Sequence, residues 1–485
     1  MGRPDNKSVP LCVDLDGTLL RTDLLFEGLL AIATNWRLLH RLPRLLTNRG
    51  ARLKQLVAEL ATIDPALLPY NKNLLDDLRH RRAAGQSLVM TTGADARAAH
   101  AIADHLDLFD EVICSDGARN LVGEVKAGVL VERFGRKNFA YVGNAQHDVL
   151  VWREAHSIVI VNAGSRVGKQ ARNCGALVEA EFNDHSSLLR ACWQAMRPQL
   201  WARNLLVFVP MIMAHAAGDR SAWISALWMF VALCATASGT YLVNDLSDLA
   251  ADRRHARKCN RPLASGMLPI TTAIGLAIVL IALGFGIAAA LDALPVLFIY
   301  VAASLSYSFF FKDFPIVDVV MLAGLSTLRL LAGSVATGHS VSPWLVAFFG
   351  FLFLNVALMK RADEMMAVEG ASSDAVALRR GYRTSDVTRL QILGGAATLA
   401  SGIVLALFIG STPASAQYRS PELLWALVPL VTFWQCRLWL STLRREMHDD
   451  PIVYVARDWV SWLVAACILA LFTAASYGLA PSSSG

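Results

Sequence analysis

Residues 244–252 read Asn-Asp-Leu-Ser-Asp-Leu-Ala-Ala-Asp and come where a long apolar segment ends. On a helix, positions i, i+3 and i+7 share one face, so Asp245, Asp248 and Asp252 are expected to cluster. Carboxylates at a membrane boundary require a counter-charge, and Mg²⁺ prefers oxygen ligands and often completes its shell with substrate phosphate. The basic run 253–261 follows at once. The pattern predicts a Mg²⁺–diphosphate site. The alternative is a solvated helix cap flanked by anchoring basic residues.

The composition indicates a membrane protein with a soluble part. Of 485 residues, 55% are hydrophobic and only 17% are charged, which is too apolar for an ordinary soluble protein. Residues 1–192 nevertheless have the composition of a soluble α/β domain, whereas 193–480 are mainly membrane segments. The eight cysteines are scattered without metal-ligand spacing, so we interpret them as reduced packing residues.

Nine apolar stretches are each about long enough to cross a ~30 Å hydrocarbon core as a helix. They lie near 201–218, 222–243, 270–291, 294–311, 317–338, 343–359, 390–410, 423–440 and 459–479. With the N-terminal domain inside, the loops on its side hold sixteen Lys and Arg residues and the opposite loops hold two. This bias predicts a protein of the inner (plasma) membrane whose N-terminal domain and active sites face the cytoplasm. The polar start of the chain predicts no signal peptide.

The N-terminal domain carries a second group of carboxylates. Residues 9–13 form a short predicted strand, and Asp14 and Asp16 follow it within Asp-Leu-Asp-Gly-Thr. Open α/β sheets place their sites at the carboxyl ends of strands. One Asp can attack a phosphoryl group there while the other transfers the proton.

This Asp-x-Asp-Gly-Thr motif resembles the first motif of the haloacid dehalogenase-like phosphohydrolases. The resemblance implies a Rossmann-like fold, with Asp14 as nucleophile and Asp16 as general acid/base. Thr92 matches the phosphate-binding hydroxyl and Lys126 the lysine that neutralises the phosphoryl group. Asp148 would hold Mg²⁺ together with Asp14 and Asp16.

The chain departs from that family's commonest pattern at Asn144, where an aspartate is frequent. We expect weaker or rearranged metal binding there, and the alternative is a degenerate domain kept for regulation or docking. Residues 20–80 are interpreted as a small helical cap.

The 244–252 pattern, followed by Arg261-Pro262-Leu263-x-x-Gly266, resembles the first signature of the UbiA-type intramembrane prenyltransferases, over roughly residues 195–480. The resemblance implies that Asp245, Asp248 and Asp252 hold Mg²⁺. The remaining phosphate ligands would be Asn244, Lys258 and Arg261.

Further charged groups occur in the predicted membrane helices. Asp318 and Arg329 are eleven residues apart, close to three full turns, and Arg329 falls near mid-membrane, where an unpaired guanidinium is costly. Arg329 is therefore a candidate ligand for lipid phosphate, or else part of a structural pair. Lys360, Arg361 and Glu364 end the sixth span, and Tyr382 follows in the next loop. We expect Lys360, Arg361 and Tyr382 to bind phosphate and Glu364 to bind metal, unless they only anchor helix ends.

These features distinguish branches of the family. The Lys-Arg-x-x-Glu pattern stands where aromatic prenyltransferases carry a second Asp-rich motif, and Arg-Pro-x-x-Trp-x-x-Asn at 197–204 opens the membrane part. The chain thus looks more like polyprenyl-phosphate phosphoribosyltransferases, such as those that make arabinan precursors for cell walls. This implies Mg²⁺ as cofactor, with phosphoribosyl pyrophosphate and polyprenyl phosphate as substrates.

The N-terminal domain would then remove the 5-phosphate of the product. The alternatives are an aromatic-acid polyprenyltransferase of quinone biosynthesis with a prenyl diphosphate donor, and a non-catalytic membrane scaffold that presents a phosphatase. Homo-oligomers are possible, and the net charge of +6 gives no reason to expect nucleic acid.

Overall fold

The computed structural model describes residues 9–35, 37–184, 187–216, 218–369, 381–411, 418–447 and 451–477. By its contacts the chain divides into two compact units. Unit 1 comprises Met1–Met196 and Tyr241–Ala277, and unit 2 comprises Arg197–Thr240 and Ile278–Gly485. The carboxylate stretch 244–252, which the sequence assigned to the membrane domain, therefore groups with the N-terminal residues.

Unit 1 contains a six-stranded parallel sheet. Its strands are β1 Leu11–Val13, β2 Leu88–Asp95, β3 Glu111–Ser115, β4 Ala140–Gly143, β5 Ser157–Val161 and β6 Leu177–Phe182. They lie in the order β3-β2-β1-β4-β5-β6, so the order reverses between β1 and β4. Strands β1, β2, β4 and β5 are buried along their whole length, as a parallel sheet covered on both faces requires. The predicted N-terminal α/β domain is confirmed at this level.

Nine α-helices precede residue 197 in the described part of the chain. They are α1 Leu24–Thr34, α2 Leu42–Leu46, α3 Gly50–Leu60, α4 Lys72–Ala83, α5 Ala96–Leu106, α6 Glu124–Phe134, α7 Asp148–Glu154, α8 Ser165–Arg172 and α9 Leu188–Met196. One apolar cluster includes Leu11 and Met90, and another includes Cys12 and Trp152. Because neighbouring residues Leu11 and Cys12 of β1 point to opposite faces, the two clusters lie on the two faces of the sheet.

The helical insertion after β1 is shorter than predicted. Ile32, Leu45, Val57 and Ala61 form a small core of their own, which joins α1, α2 and α3. Helix α4, by contrast, packs its leucines into the cluster that contains Leu11 of the sheet. The insertion with its own core therefore ends near residue 61, and α4 belongs to the layers of the sheet.

Seven helices in the described residues are long and apolar enough to cross a membrane: Arg220–Ser247, Ile270–Ala290, Val317–Thr337, Pro343–Met366, Val387–Ile409, Pro421–Leu443 and Trp459–Ser476. In chain order the remaining α-helices are α10 Val209–Met213, α11 Arg220–Ser247, α12 Leu249–Arg254, α13 Ile270–Ala290, α14 Leu294–Phe309, α15 Val317–Thr337, α16 Pro343–Glu369, α17 Val387–Ile409, α18 Leu427–Leu443, α19 Pro451–Arg457 and α20 Trp459–Tyr477. The predicted helical polytopic domain is confirmed.

The predicted count of nine spans is not confirmed. The described residues of the stretch 201–218 lie in a 3₁₀ segment, Pro198–Phe208, in the five-residue helix α10 and in turns. Pro210 contributes to this break because it lacks the amide that would continue a helix from upstream. Helix α14 has 16 residues, or about 24 Å at 1.5 Å per residue, which is short of a ~30 Å core.

A buried polar network joins three spans of unit 2. Asn355 of α16 donates to Thr398 of α17 at 2.9 Å and to Gln435 of α18 at 2.7 Å. Gln435 donates to Ser401 at 2.8 Å, and the Trp439 indole donates to the Asn355 carbonyl oxygen at 2.7 Å. Asn355, Ser401 and Gln435 are at most 1% exposed. The amides of Asn355 and Gln435 thus fix the three helices against one another.

Substitution of Gln435 by leucine is expected to lower the free energy of unfolding by about 1–2 kcal/mol, because it leaves Asn355 and Ser401 each short of a buried partner. Thermal unfolding of the purified protein in detergent would measure this loss. The double variant Asn355→Leu/Gln435→Leu should lose less than the sum of the two single losses. Additive losses would contradict a shared network.

Candidate functional site

The first group of predicted site residues lies where the sheet reverses its strand order. Strand β1 lies between β2 and β4, and in such sheets ligands bind at the carboxyl ends of the strands beside this point. Asp14 and Asp16 follow β1, and residues 144–148 follow β4. The topology therefore brings these two segments to one edge.

Lys126 pairs with Asp14 across 112 residues of sequence. Its ammonium donates to Asp14 Oδ1 at 2.7 Å and to the Tyr141 hydroxyl at 3.0 Å, and that hydroxyl donates to Asp148 Oδ1 at 2.9 Å. All four side chains are buried. Burial raises the pKa of Asp14, and the charge of Lys126 opposes this rise. A carboxylate held by one buried cation is suited to act as a nucleophile at a phosphoryl group.

Asp16 is half-buried beside this pair, and its Oδ1 accepts the amide of Leu24 at 2.9 Å. Burial, together with the charges of Asp23 and Asp14, raises the pKa of Asp16 to about 7. A carboxyl group with a pKa near neutrality can both donate and accept a proton under physiological conditions. Both pKa values are raised, but Asp14 contacts the buried Lys126 ammonium whereas Asp16 accepts a backbone amide, so the two carboxyl groups differ in the charge placed beside them.

Asp148 organises the loop after β4. Its Oδ2 accepts the amides of Asn144 at 3.0 Å and Ala145 at 2.9 Å. Asn144 in turn donates through Nδ2 to the Gly17 carbonyl at 2.9 Å. Gly17 has φ of +74°, and a Cβ there would meet the Asn144 amide at 2.4 Å, so this position requires glycine.

The donor set of this edge fits a divalent cation. Among the described residues, Asp14, His147 and Asp148 form the one group of three acidic or histidine side chains whose ligand atoms lie within 4.8 Å of one another. Asn144 Oδ1 is buried without a hydrogen-bond partner in the described part of the chain, which leaves a neutral oxygen for a ligand. Asp16, a predicted metal ligand, does not belong to this group of three. His147 does belong to it, although the sequence analysis did not identify this residue.

A cavity of about 500 Å³ opens at this edge and is lined by Asp14, Asp16, Lys126 and Asn144, among others. Thr92 is fully buried, accepts the amide of Ala94 at 3.0 Å and is absent from the lining, whereas its neighbour Gly93 is present. Lys54 of α3 also lines the cavity and donates to the Gly93 carbonyl at 2.7 Å. Sequence reasoning missed Lys54 because it lies in a helical insertion with no motif around it.

The carboxylates at 244–252 form the second group of unit 1, and they do not share one continuous helix. Helix α11 ends at Ser247 and α12 begins at Leu249, with Asp248 between them at φ −96° and ψ 7°. The helix expected from the spacing is thus interrupted at Asp248, although the Asp248 amide still donates to the Asn244 carbonyl at 2.9 Å and the Asp252 amide to the Asp248 carbonyl at 2.8 Å. Three oxygens from these carboxylates do not meet within 4.8 Å.

Arg261 balances the negative charge of two of the three carboxylates. One guanidinium nitrogen lies 3.1 Å from Asp245 Oδ1 and 2.5 Å from Asp252 Oδ2. Both aspartates are buried, whereas Arg261 is partly exposed. Asn244 donates to Asp248 at 3.3 Å, and Lys258 begins a short 3₁₀ turn after α12. Because the two carboxylates face the same cationic nitrogen, a divalent cation could bind between them in place of the Arg261 guanidinium.

Arg329 in unit 2 is bound by the protein itself. Its guanidinium donates to Asn204 at 2.8 Å, to the Leu325 carbonyl at 2.6 Å and to the Tyr300 hydroxyl at 3.0 Å. It is 4% exposed. Asn204, the last residue of the 197–204 motif, thus accepts a hydrogen bond from Arg329, and the three contacts satisfy a guanidinium that is buried in an apolar helix.

Arg361 and Tyr382, also predicted to bind phosphate, converge on Asp318 instead. The Arg361 guanidinium lies 2.5 Å from Asp318 Oδ2, and the Tyr382 hydroxyl donates to Oδ1 at 2.5 Å. Arg361 also pairs with Glu364, and Lys360 and Glu364 are half-buried. Asp318, which lies on the same helix as Arg329, pairs with Arg361 of the next span.

The chain resembles known proteins along most of its length. The model of the UbiA prenyltransferase family matches residues 205–462. The chain is 34% identical to the protein y4nM of Sinorhizobium fredii over 97% of this chain and 92% of that one. It is 39% identical to the decaprenyl-phosphate phosphoribosyltransferase of Corynebacterium glutamicum over 36% of this chain and 55% of that enzyme. A solved UbiA homologue of Archaeoglobus fulgidus, bound to GPP and Mg²⁺, shares 16% identity at a TM-score of 0.45, over 58% and 99% of the two chains.

Proposed function

Because this chain belongs to the UbiA prenyltransferase family, we propose that it transfers a phosphoribosyl group from phosphoribosyl pyrophosphate to a polyprenyl phosphate. The observation that carries the proposal is the Arg261 guanidinium shared by Asp245 and Asp252. The choice of donor is supported by the relatives named decaprenyl-phosphate phosphoribosyltransferase, whose matches cover part of the chain.

In the proposed reaction, a phosphate oxygen of the lipid bonds to the anomeric carbon while the bond from that carbon to diphosphate breaks. Asp245, Asp248 and Asp252 would hold Mg²⁺, which would neutralise the diphosphate leaving group. Asn244 orients Asp248 through its amide. Arg261 would turn from the carboxylates to the phosphate oxygens, and Lys258 would add a second positive charge.

The unit 2 residues enter the proposal differently. Arg329, Arg361 and Tyr382 are each buried against partners in the protein, which favours roles in packing. Lys360 stays a proposed phosphate ligand. Glu364 stays a proposed metal ligand, although its carboxylate pairs with Arg361.

We further propose that the Asp14 site is a phosphohydrolase of the haloacid dehalogenase type that removes the 5-phosphate of the lipid product. Asp14 would attack the phosphorus, and Asp16 would protonate the departing ribose oxygen and later deprotonate the attacking water. Lys126 would balance the charge of Asp14 and the phosphoryl group. The tether between the domains would raise the effective concentration of the product at this site.

The test uses the full chain in detergent with Mg²⁺, a polyprenyl phosphate and phosphoribosyl pyrophosphate labelled with ¹⁴C in the ribose. Label in the butanol-extracted lipid is the expected result. A parallel reaction receives a prenyl diphosphate and an aromatic acid, which the quinone-pathway alternative requires. Product in the second reaction alone would overturn the phosphoribosyl proposal.

A further inference from the structure

A buried ion pair joins the two carboxylate sites of unit 1. The Arg253 guanidinium donates to both oxygens of Glu27, at 2.6 and 3.0 Å. The two side chains are only 8% and 6% exposed, although 226 residues separate them in the sequence. Buried charges of this kind are kept only with good geometry and full pairing, so the contact fixes the relative position of its two segments.

Glu27 belongs to the segment that holds Asp16. It lies in the first turn of α1, which begins at Leu24, and the Leu24 amide donates to Asp16. Thr22 donates to Glu27 at 2.7 Å and accepts the amide of Gly17 through its carbonyl at 3.2 Å. A movement of Glu27 would therefore also displace Asp16 and the turn at Gly17.

Arg253 belongs to the segment that holds the second carboxylate group. It follows Asp252 directly on the six-residue helix α12, and Asp252 pairs with Arg261. Arg253 also donates to the Ala264 carbonyl at 3.1 Å, which ties α12 to the loop after Arg261. A movement of Asp252 when its partners change would therefore also move Arg253, the next residue on the same helix.

The same loop forms a wall of the Asp14 cavity. Pro269, Ile270 and Thr271 line that cavity together with Asp14 and Asp16. Gly266, at φ +75°, lies so close that a Cβ there would meet Arg21 Cβ at 2.7 Å. The segment after Asp252 therefore contributes both to the second carboxylate group and to the cavity of the first.

We propose that the Glu27–Arg253 ion pair couples the two phosphate sites of unit 1, so that a diphosphate bound at Asp245, Asp248 and Asp252 changes phosphate affinity at Asp14. The inference rests on the proposed function. Binding of a metal–diphosphate draws Asp252 and Arg261 away from each other, and α12 carries that change to Arg253. Glu27 and Arg253 are positioning residues, because neither belongs to either set of proposed ligands.

The coupling is measured as the change in the Kd of one ligand when the other is bound, in the full chain and at one fixed Mg²⁺ concentration. Orthovanadate serves as the probe for the Asp14 site, and inorganic pyrophosphate serves as the probe for the 244–252 group. Saturating pyrophosphate is expected to change the Kd of orthovanadate by at least about fivefold, and linkage requires the same factor in the reverse titration. The Asp248→Asn variant reports whether pyrophosphate binds at the intended group.

The decisive variant is Glu27→Gln/Arg253→Met, which removes both buried charges and avoids leaving one of them unpaired. It should bind both probes while the coupling factor falls to about one. Arg254→Ala is the matched control, since Arg254 is the next residue and its contact with Asp64 at 3.8 Å is exposed. This control should keep the wild-type factor.

Three results would overturn the inference. A coupling factor of one in the wild type, with pyrophosphate binding that depends on Asp248, would exclude the coupling and leave the proposed transferase site standing. An unchanged factor in the double variant would exclude the ion pair as its route. Pyrophosphate binding that ignores Asp248→Asn would overturn the transferase site and the coupling together.

Discussion

Replacement of Asp248 by asparagine is expected to lower incorporation of ribose label into the lipid by about 10³-fold, the size of effect seen when an electrostatic stabiliser of the transition state is removed. Asp248 lies between Asp245 and Asp252 at the break between α11 and α12. Asparagine keeps the size of the side chain and one oxygen but removes the negative charge. Scintillation counting of the extracted lipid, over a range of Mg²⁺ concentrations, measures the loss.

Two controls make this result specific. Asp76→Asn removes a carboxylate of unit 1 whose side chain is 63% exposed and whose partner is Arg79, so it should label lipid at the wild-type rate. The melting temperature of Asp248→Asn should stay within a few degrees of the wild type. Label incorporation near the wild-type rate in a folded Asp248→Asn protein would contradict a role for this group in the transfer.

The sequence predicted which kinds of domain the protein contains better than it predicted where individual helices begin, end or break. Composition and the short strand before Asp14 predicted the N-terminal α/β domain, and long apolar stretches predicted the helical membrane domain, because a span must be apolar over the width of the hydrocarbon core. The count of spans failed at residues 201–218. There the apolar composition is long enough, but Pro210 interrupts the helix, and composition alone does not report a break.

For the candidate sites, too, the sequence identified individual residues better than it identified their partners. Motif spacing identified Asp14 and Lys126 separately, and the structure brings them to 2.7 Å. Spacing placed Asp318 and Arg329 about three turns apart on one helix but did not reveal that Asp318 pairs with Arg361 of the next span. Nothing in the sequence linked Glu27 to Arg253, and only packing places the two charged side chains together. Partners distant in sequence are fixed by tertiary packing, which one sequence does not reveal.

Replacement of Asp14 by asparagine is expected to abolish release of the 5-phosphate from the lipid product, with a loss of about 10⁴-fold or more, because removal of a nucleophile has cost up to ~10⁶-fold in other enzymes. The amide cannot attack the phosphorus, and it leaves the buried Lys126 without its anionic partner. Transfer of the ribosyl group should continue, so the phosphorylated lipid should accumulate. Donor labelled with ³²P at the 5-position, followed by chromatography of the lipid and assay of free phosphate, measures both steps at once.

Asn144→Asp tests whether this position limits the hydrolase-type site. Asn144 donates to the Gly17 carbonyl at 2.9 Å, and an aspartate there would set a carboxylate oxygen against that carbonyl. Unless a cation is bound between them, the loop beside Asp14 must then shift. The aspartate thus destabilises the metal-free site and adds an anionic oxygen ligand, so phosphate release by Asn144→Asp should reach half its maximum at a lower Mg²⁺ concentration than in the wild type. If wild type and Asp14→Asn release no phosphate and Asn144→Asp does, Asn144 has silenced the site, and the domain serves the transferase in another way. Equal release by the wild type and Asp14→Asn would exclude Asp14 as the nucleophile.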